Sequence, residues 1–513
     1  MRLHYGARIR GRKTLLYQEL EHRDCLMGVL VGCGVFGVAL KREGQLDSFA
    51  AVGMTSITHR GEESHGFAAL EQRRTAFLGL KDGIKIRRGM GPAMMSSEIF
   101  EKPIYGRFGT GQTRYGTSAG NGFEHAQPFG YKVNGTEFAI SHNGNFPNIM
   151  EIARDLGIGR DKANNSSDTK IAGMLIAETM RRDPNLGIEE AIGKALKDVA
   201  GSYSMVVLFS SGNRKGLLAV RDGYGKMPLW IGGNDAGWFV SSETVTFEPA
   251  KLNAPDYRRI IPGEMVVLDG NRVDSGIIFK ATAGHCSFQA SYKERIDSYF
   301  ESPVSDGNGR SIYEIREEIG RIIGRRYLPG GSKENLIVIG VPDSGTLIAV
   351  GYHDETGVPF KLGLRRDPYV GHRVYMMPSE EDRERMTKAK LDPVRAVVEG
   401  KRVLLMDDSV VRGTTAKRQA EKLRAAGALE VYLALGHPPI ISGCPYGNDF
   451  YTEELMAKGG DVARKLGFDD VFYISREDHA SAIGMPVKSL CYECTTGLYS
   501  QPVELLPRSE RRN

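Results

Sequence analysis

An apolar run that ends in two acids and opens into a hydroxyl-rich loop most constrains how this chain can fold. The run Val403 to Met406 leads into Asp407 and Asp408, and a loop rich in Ser, Gly and Thr follows. Apolar residues then recur at helical spacing, and a second apolar run, Val431 to Leu435, completes a βαβ unit. We therefore expect an open α/β sheet whose ligands collect at the carboxyl ends of its strands.

The loop between this strand and its helix has the chemistry of an anion site. Backbone N–H groups at the start of a helix, together with the helix dipole, favour a phosphate group. The hydroxyls of Ser409, Thr414 and Thr415 add donors, while Asp407 and Asp408 suit ribose hydroxyls or Mg²⁺. The alternative for a strand followed by Asp-Asp-Ser is a surface turn.

The whole string from Val403 to Thr415 is more specific. It resembles the 5-phosphoribosyl-1-pyrophosphate (PRPP) signature of type I phosphoribosyltransferases, in the version found in the amidophosphoribosyltransferase family. That family makes phosphoribosylamine from PRPP and glutamine. The resemblance implies Mg²⁺ at the two aspartates and a PRPP site formed by Asp407, Asp408, Ser409, Arg412, Gly413, Thr414 and Thr415.

Two segments upstream resemble other parts of the same PRPP site. The apolar run Leu336 to Val341 predicts a buried parallel strand, and it leads into Asp343-Ser344-Gly345, which is similar to the family's pyrophosphate loop. Family members often carry a hydroxyl where this chain has Gly345. Residues 365–373, RRDPYVGHR, resemble a loop that closes over PRPP, with Arg366 expected to contact the ligand.

Some departures from the family pattern support an alternative function. Pro368 and His372 replace arginines in the closing loop, Met227 stands where an arginine is usual, and a long segment precedes Cys33. With Gly345, these changes favour a non-catalytic or regulatory paralogue that binds PRPP or nucleotides.

The residues around Cys33 resemble the mature N-terminus of class II glutamine amidotransferases, which are N-terminal-nucleophile hydrolases. In that class a free α-amine serves as the base for its own thiol, so the bond from Gly32 to Cys33 must be cut and residues 1–32 form a propeptide or extension. If it is not cut, an enzyme that uses free ammonia is expected. The apolar run from Leu26 also resembles a signal peptide with a lipoprotein box, although acids flank it and apolar residues continue past Cys33.

Three later segments resemble the glutamine site of the same family, in the same order. The resemblance implies that Arg114 holds the glutamine carboxylate, that Asn143 and Gly144 form an oxyanion hole, and that Asp168 pairs with the α-ammonium group. Taken singly, Arg114 also suits a surface charge, Asn143-Gly144 a hairpin turn, and Asp168 a helix N-cap. Their shared order favours the glutamine site.

Six cysteines in 513 residues do not form a disulfide framework, which indicates a reducing compartment. Spacing alone makes a metal site a weak interpretation, with buried thiols as the alternative. One branch of the family holds a [4Fe-4S] cluster, and this resemblance assigns the cluster to Cys286, Cys444, Cys491 and Cys494. Zinc is the rival metal.

The length of the chain bears on the number of domains, and its net charge bears on its binding partners. A chain of 513 residues suggests two to three domains, and a net charge of +5 is too weak to indicate nucleic-acid binding. The resemblance implies an αββα sandwich of the N-terminal-nucleophile hydrolase type at 33–285, a type I phosphoribosyltransferase with a doubly wound parallel sheet at 286–475, and a C-terminal segment at 476–513. It further implies the first step of purine biosynthesis, a cytoplasmic homo-dimer or homo-tetramer that binds no membrane, and inhibition by purine nucleotides.

Overall fold

The computed structural model describes residues 32–75, 79–96, 99, 103–115, 122–282, 284–300, 309–366, 391–448, 455–458 and 460–501. The segment before Gly32, with its signal-peptide interpretation and Cys25, lies outside the described residues, as do Pro368 and His372 of the closing loop. Within the described part of the chain, every helix is too short or too polar to cross a bilayer.

Two antiparallel sheets face each other in the first half of the chain. One has the order β11-β9-β10-β1-β4-β2-β3 and the other the order β13-β12-β8-β7-β6-β5. The first sheet comprises β1 (Gly34–Gln45), β2 (Ser64–Thr75), β3 (Gly79–Met90), β4 (Tyr105–Arg114), β9 (Trp230–Gly233), β10 (Gly237–Ser241) and β11 (Asp256–Arg259). The second comprises β5 (Phe129–Val133), β6 (Thr136–Asn145), β7 (Ser202–Ser211), β8 (Arg214–Arg221), β12 (Glu264–Leu268) and β13 (Val273–Ile277).

Alternating apolar residues build three core layers around these sheets. Val35 and Ala39 of β1 pack between the sheets, whereas Phe36 and Val38 point to the other face and pack on helix α1 (Leu46–Ser56). The outer face of the second sheet packs on α4 (Asp168–Arg182) and α5 (Ile188–Leu196), and α2 (Ile149–Asp155) and α3 (Arg160–Asn164) precede them. The predicted αββα sandwich is confirmed.

The second half contains a parallel sheet with helices on both faces. Its strands are β17 (Leu336–Gly340), β20 (Arg402–Asp407), β21 (Glu430–Leu435) and β22 (Asp470–Tyr473), in that spatial order. One face packs on α6 (Ile312–Arg326) and α7 (Ser344–Thr356), and the other packs on α9 (Thr414–Ala425). The predicted doubly wound fold is therefore confirmed.

Short elements connect these bodies. The remaining helices are α8 (Arg395–Val398), α10 (Val462–Leu466), α11 (Arg476–Ile483) and α12 (Glu493–Thr496). The remaining strands form three pairs: β14 (His285–Cys286) with β23 (Leu490–Cys491), β15 (Tyr299–Phe300) with β16 (Arg310–Ser311), and β18 (Leu364–Arg366) with β19 (Leu391–Pro393). Because β14 and β23 are far apart in sequence, their pairing fastens the C-terminal segment to the junction between the two folds.

Candidate active sites

Cys33 lies immediately before β1, in the middle of the first sheet. Its neighbour Gly34 pairs with Thr113 of β4, and its own carbonyl oxygen accepts a hydrogen bond from Nε of Arg60 at 3.1 Å. Burial raises the pKa of the Cys33 thiol, although the backbone N–H of Tyr115 and the charge of Arg114 act in the opposite direction. The thiol therefore needs a base before it can act as a nucleophile.

A buried ion pair holds Arg60 against Cys33. Nη1 of Arg60 lies 2.5 Å from Glu243, and Nη2 donates to Gln289 at 2.9 Å. Burial alone would raise the pKa of Glu243, but the charges of His59 and Arg60 hold it below its usual range. Because Gln289 belongs to the second half of the chain, its hydrogen bond with Arg60 also ties the two folds together.

Asn143 and Gly144 lie in strand β6, so the hairpin-turn interpretation is wrong. Their partners across the ladder are Ser204 and Tyr203 of β7. The side chain of Asn143 is buried, and its Nδ2 has no hydrogen-bond partner among the described residues. A buried amide donor without a partner is costly unless a ligand uses it.

The backbone at Gly144 admits only glycine. Its φ angle is +147°, and a Cβ at this position would lie 2.1 Å from the carbonyl oxygen of Ser202. The facing sheet also holds this segment, because Nε2 of Gln112 in β4 donates to the carbonyl of His142 at 2.7 Å. This hydrogen bond joins the segment that carries Asn143 in one sheet to β4, the strand paired with β1 in the facing sheet.

Arg114 and Asp168 converge on the same thiol. The charges of both act on Cys33. Arg114 is only 3% exposed, so a surface charge is excluded, and its Nη1 lies 2.8 Å from Glu63. Asp168 is the first residue of α4 and Ser167 is the N-cap, so the N-cap interpretation of Asp168 is wrong.

His142 is a residue of this site that the sequence patterns did not single out. Its ring stacks on Phe146 at 4.7 Å, and its Nδ1 lies 2.8 Å from Oγ1 of Thr169. Burial lowers the pKa of His142 despite the nearby charge of Asp168. The sequence signal for His142 was its position directly before Asn143. Its contact with Thr169 of α4 depends on the tertiary fold.

The PRPP candidates lie together at the carboxyl ends of β17 and β20. Oγ of Ser344 donates to Asp408 at 2.5 Å, and Oγ of Ser409 donates to the other carboxylate oxygen at 2.6 Å. Burial raises the pKa of Asp407 and Asp408, and the neighbouring carboxylate raises that of Asp407 further. Asp408 is buried, so the surface-turn interpretation is wrong.

Gly345 packs directly on strand β20. A Cβ at this position would lie 2.1 Å from the carbonyl oxygen of Met406. A hydroxyl-bearing residue therefore does not fit here unless the backbone moves, which explains the glycine. Nearby, Arg366 contacts the same loop, with Nη1 2.9 Å from Asp343 and Nη2 donating to Pro342.

The loop after β20 delivers its donors to the start of α9. Gly413 has a φ of +78° and immediately precedes the helix, where a left-handed residue favours glycine. Thr414 and Thr415 are exposed in the first turn, and Arg412 lies beside them in the loop. The twelve-residue helix thus begins seven residues after Asp407, and its first-turn N–H groups lack partners within the helix.

The four cysteines line one pocket between the two folds. Cys286, Cys444, Cys491 and Cys494 share it with Lys226, Met227, Tyr446 and Glu493, among others, and none of the four forms a disulfide. Nζ of Lys226 lies 3.6 Å from Sγ of Cys491 and 2.8 Å from Glu493. Burial raises the pKa of Cys491 to about 12 and also raises those of Cys444 and Cys494.

A glutaminase-type sandwich and a phosphate-binding parallel sheet in one chain define a glutamine amidotransferase joined to a phosphoribosyltransferase. Residues 119–249 match a family model described as a glutamine amidotransferase domain. The amidophosphoribosyltransferase of Methanocaldococcus jannaschii is 33% identical over 493 residues, which cover 92% of this chain and 98% of that protein. The Bacillus subtilis enzyme is 31% identical, with coverage of 94% and 96%. The chain therefore belongs to the amidophosphoribosyltransferase family.

Two solved structures share the whole architecture. One is described as the allosteric regulatory enzyme of purine biosynthesis, with a TM-score of 0.78, 30% identity and coverage of 92% of this chain and 97% of that one. The other is the Bacillus subtilis glutamine PRPP amidotransferase in complex with ADP and GMP, with a TM-score of 0.77, 30% identity and coverage of 92% and 99%.

Proposed function

We propose that this chain converts glutamine, PRPP and water into phosphoribosylamine, glutamate and pyrophosphate, the first step of purine biosynthesis. The observation that carries the proposal is the unpartnered amide of Asn143, buried in β6 of the sheet that faces the sheet containing β1. An unused buried donor suits charge that appears only as the reaction proceeds. The names of the relatives support the same reaction.

In the glutaminase step Cys33 is the nucleophile. Cutting the Gly32–Cys33 bond would free an α-amine, which takes the thiol proton as sulfur attacks the side-chain amide carbon of glutamine. Asn143 and the N–H of Gly144 stabilise the oxyanion, ammonia leaves, and water hydrolyses the thioester. Asp168 holds the α-ammonium group, and Arg114 holds the carboxylate in place of its present partner Glu63.

In the transferase step ammonia attacks C1 of PRPP as the bond to pyrophosphate breaks. The residues that hold PRPP are those of the two loops and of β18: Asp343, Ser344, Gly345, Asp407, Asp408, Ser409, Arg412, Gly413, Thr414, Thr415 and Arg366. Arg366 contacts the pyrophosphate loop through Asp343. When PRPP binds, its guanidinium can leave Asp343 and pair with the pyrophosphate group instead.

Asp407 and Asp408 fit a magnesium ion. Desolvation raises the pKa of both adjacent carboxylates, which makes their charged forms unfavourable, and a hard cation would offset this cost. Mg²⁺ bound there would neutralise negative charge on the leaving pyrophosphate.

The four cysteines fit a [4Fe-4S] cluster. Cys286, Cys444, Cys491 and Cys494 line one shared pocket, and Lys226 supplies a positive charge beside Cys491. Tetrahedral zinc held by the same four thiolates is the rival, and iron and sulfide analysis distinguishes the two. The cluster would tie the C-terminal segment to both folds.

We further propose domain bounds, a mode of regulation and an oligomeric state for this protein. The glutaminase domain spans 33–285, the transferase domain 286–475 and the C-terminal segment 476–513. Purine nucleotides would regulate the enzyme, by analogy with the relative solved with ADP and GMP. The protein would act in the cytoplasm as a homo-dimer or homo-tetramer.

The test combines intact mass with two activity assays. Purified wild-type protein should begin at Cys33 and release pyrophosphate from PRPP with either glutamine or ammonia. Cys33→Ala should lose only the glutamine-dependent release. Absence of release with both donors would contradict the proposal and favour a regulatory paralogue, and an uncut chain active only with ammonia would contradict the glutaminase half.

A further inference from the structure

The paired ends of β6 and β7 are held from the other half of the molecule. Asn145 follows Gly144 at the end of β6 and lies opposite Ser202 at the start of β7. Side-chain and backbone groups more than 290 residues away contact both strand ends. The contacting residues are Pro445, Gly447 and Gln501.

The first contact is with the strand that carries the oxyanion candidates. Nδ2 of Asn145 donates to the carbonyl oxygen of Pro445 at 2.7 Å. Gly447 lies against the preceding peptide, since a Cβ on it would be 3.3 Å from the carbonyl carbon of Gly144. With a φ of +111°, Gly447 adopts a backbone conformation that other residues rarely reach.

The second contact is with the neighbouring strand. The N–H of Gly201 donates to Oε1 of Gln501 at 2.6 Å, and Nε2 of Gln501 donates back to the carbonyl of Gly201 at 2.8 Å. Gln501 is buried. Gly201 in turn packs on Asn145, because a Cβ on Gly201 would lie 2.1 Å from the carbonyl oxygen of Asn145. Asn145 and Gly201 therefore pack as one unit, and the two contacts hold it from two sides.

Both arms arise from the segments that carry the late cysteines. Pro445 follows Cys444, and the N–H groups of Ile441 and Ser442 donate to the carbonyl of Cys494 at 2.9 and 3.0 Å. The tail that ends in Gln501 is joined to the same loop, since the hydroxyl of Tyr499 donates to the carbonyl of Gly443 at 2.6 Å.

We propose that Pro445, Gly447 and Gln501 form a clamp that positions the oxyanion hole, and that Asn145 and Gly201 are the positioning residues that receive it. The end of β6 has a glycine at 144 packed tightly on Ser202 and Tyr203, so a small displacement of β7 would move the peptide N–H that the proposed reaction assigns to the oxyanion hole. The inference rests on the proposed glutaminase function, and it adds a dependence of that site on the C-terminal segment. No direct contact of the clamp with glutamine is required.

The test uses Asn145→Ala and Gln501→Ala in the full-length chain, with Asn134→Gly as the matched control. Asn134 lies just before the opposite end of β6, where its Nδ2 donates to the carbonyl of Met180 at 2.6 Å, and its φ of +47° suits glycine. Initial rates are measured with glutamine and with ammonia, and a urea titration reports folding.

Both clamp variants should lower kcat for glutamine hydrolysis about tenfold or more, because the oxyanion acts in the transition state. The KM for glutamine should stay within about threefold, and ammonia-dependent pyrophosphate release should be unchanged. The control variant should match wild type in both assays. Gly447→Ala, which pushes on the Gly144 peptide, should reproduce the kcat loss.

Three outcomes would overturn the clamp. Glutaminase kcat within twofold of wild type in Asn145→Ala and Gln501→Ala contradicts it directly. Parallel loss of glutamine-dependent and ammonia-dependent activity indicates a merely structural role. Wild-type protein without glutaminase activity contradicts the proposed function and the clamp that depends on it, whereas active wild type with unaffected variants contradicts the clamp alone.

Discussion

Nε of Arg60 donates to the carbonyl oxygen of Cys33 at 3.1 Å, so the residue before the first strand is fixed by a side chain from the turn after α1. The same guanidinium pairs with the fully buried Glu243. The nucleophile is thus held by a charged network whose members are distant in sequence.

Removing this guanidinium should affect both stability and catalysis. Arg60→Met removes the permanently charged partner of the buried Glu243, which costs roughly 3–5 kcal/mol, and it releases the backbone of Cys33. Urea unfolding should show the loss, and Arg60→Met with Glu243→Gln should recover part of it. Equal stability of the single variant and wild type would contradict this account.

The unpartnered amide of Asn143 gives the sharpest kinetic prediction. Asn143→Ala should lower kcat for glutamine hydrolysis by about 10²–10³ with little change in KM, as expected for an oxyanion donor. Ammonia-dependent pyrophosphate release serves as the internal control and should persist. A rise in KM with unchanged kcat would instead assign Asn143 to ground-state binding.

Arg366 should contribute to PRPP binding and little to stability. Its pair with Asp343 is largely exposed, and such pairs are worth about 0–1 kcal/mol. A charge-assisted bond to pyrophosphate is worth about 1.5–3 kcal/mol, so Arg366→Met should raise the KM for PRPP roughly ten- to a hundredfold with either nitrogen donor. Arg395→Met, which breaks an exposed pair with Glu399 on α8, is the matched control. An unchanged KM in Arg366→Met would exclude this role.

Loss of a cysteine ligand should impair the glutaminase site more than the transferase site. Cys444→Ser should reduce the iron and sulfide content, and it should lower glutamine-dependent activity more than ammonia-dependent activity, because Pro445 and Gly447 contact the end of β6. Cys33→Ala should keep wild-type iron and sulfide. Full iron and sulfide in Cys444→Ser would argue against the four-cysteine cluster.

Buried histidines should make the fold sensitive to acid. Burial lowers the pKa of His437 to about 4, from an ordinary value of 6.5, so the folded chain keeps it neutral. Between pH 6.5 and 4 the unfolded chain binds the extra proton, and stability falls as the pH falls, by ~3 kcal/mol in total. Urea titrations of His437→Gln should show a shallower acid decline, and an unchanged slope would contradict the assignment.

Much of the architecture follows from local sequence patterns. The apolar runs before Pro342 and Asp407 become β17 and β20, and the helical spacing of Ala416, Ala420 and Leu423 becomes the buried face of α9. Such predictions succeed because the periodicity of apolar residues and the preferences of turn residues are set by only a few neighbouring residues. The structure at Asn143-Gly144 was harder to predict. This dipeptide is common in turns, but here it lies within β6 and pairs with β7.

The sequence by itself determined which chemical groups the protein has and on which local elements they lie: a thiol before a strand, acids at a strand end, hydroxyls before a helix and four late cysteines. Only the tertiary structure decided which of them meet. The bond from Asn145 to Pro445 and those between Gly201 and Gln501 each span 300 residues, and the packing that excludes a side chain at Gly345 comes from a neighbouring strand. Contacts of this range depend on how sheets and helices pack, and no local periodicity encodes them.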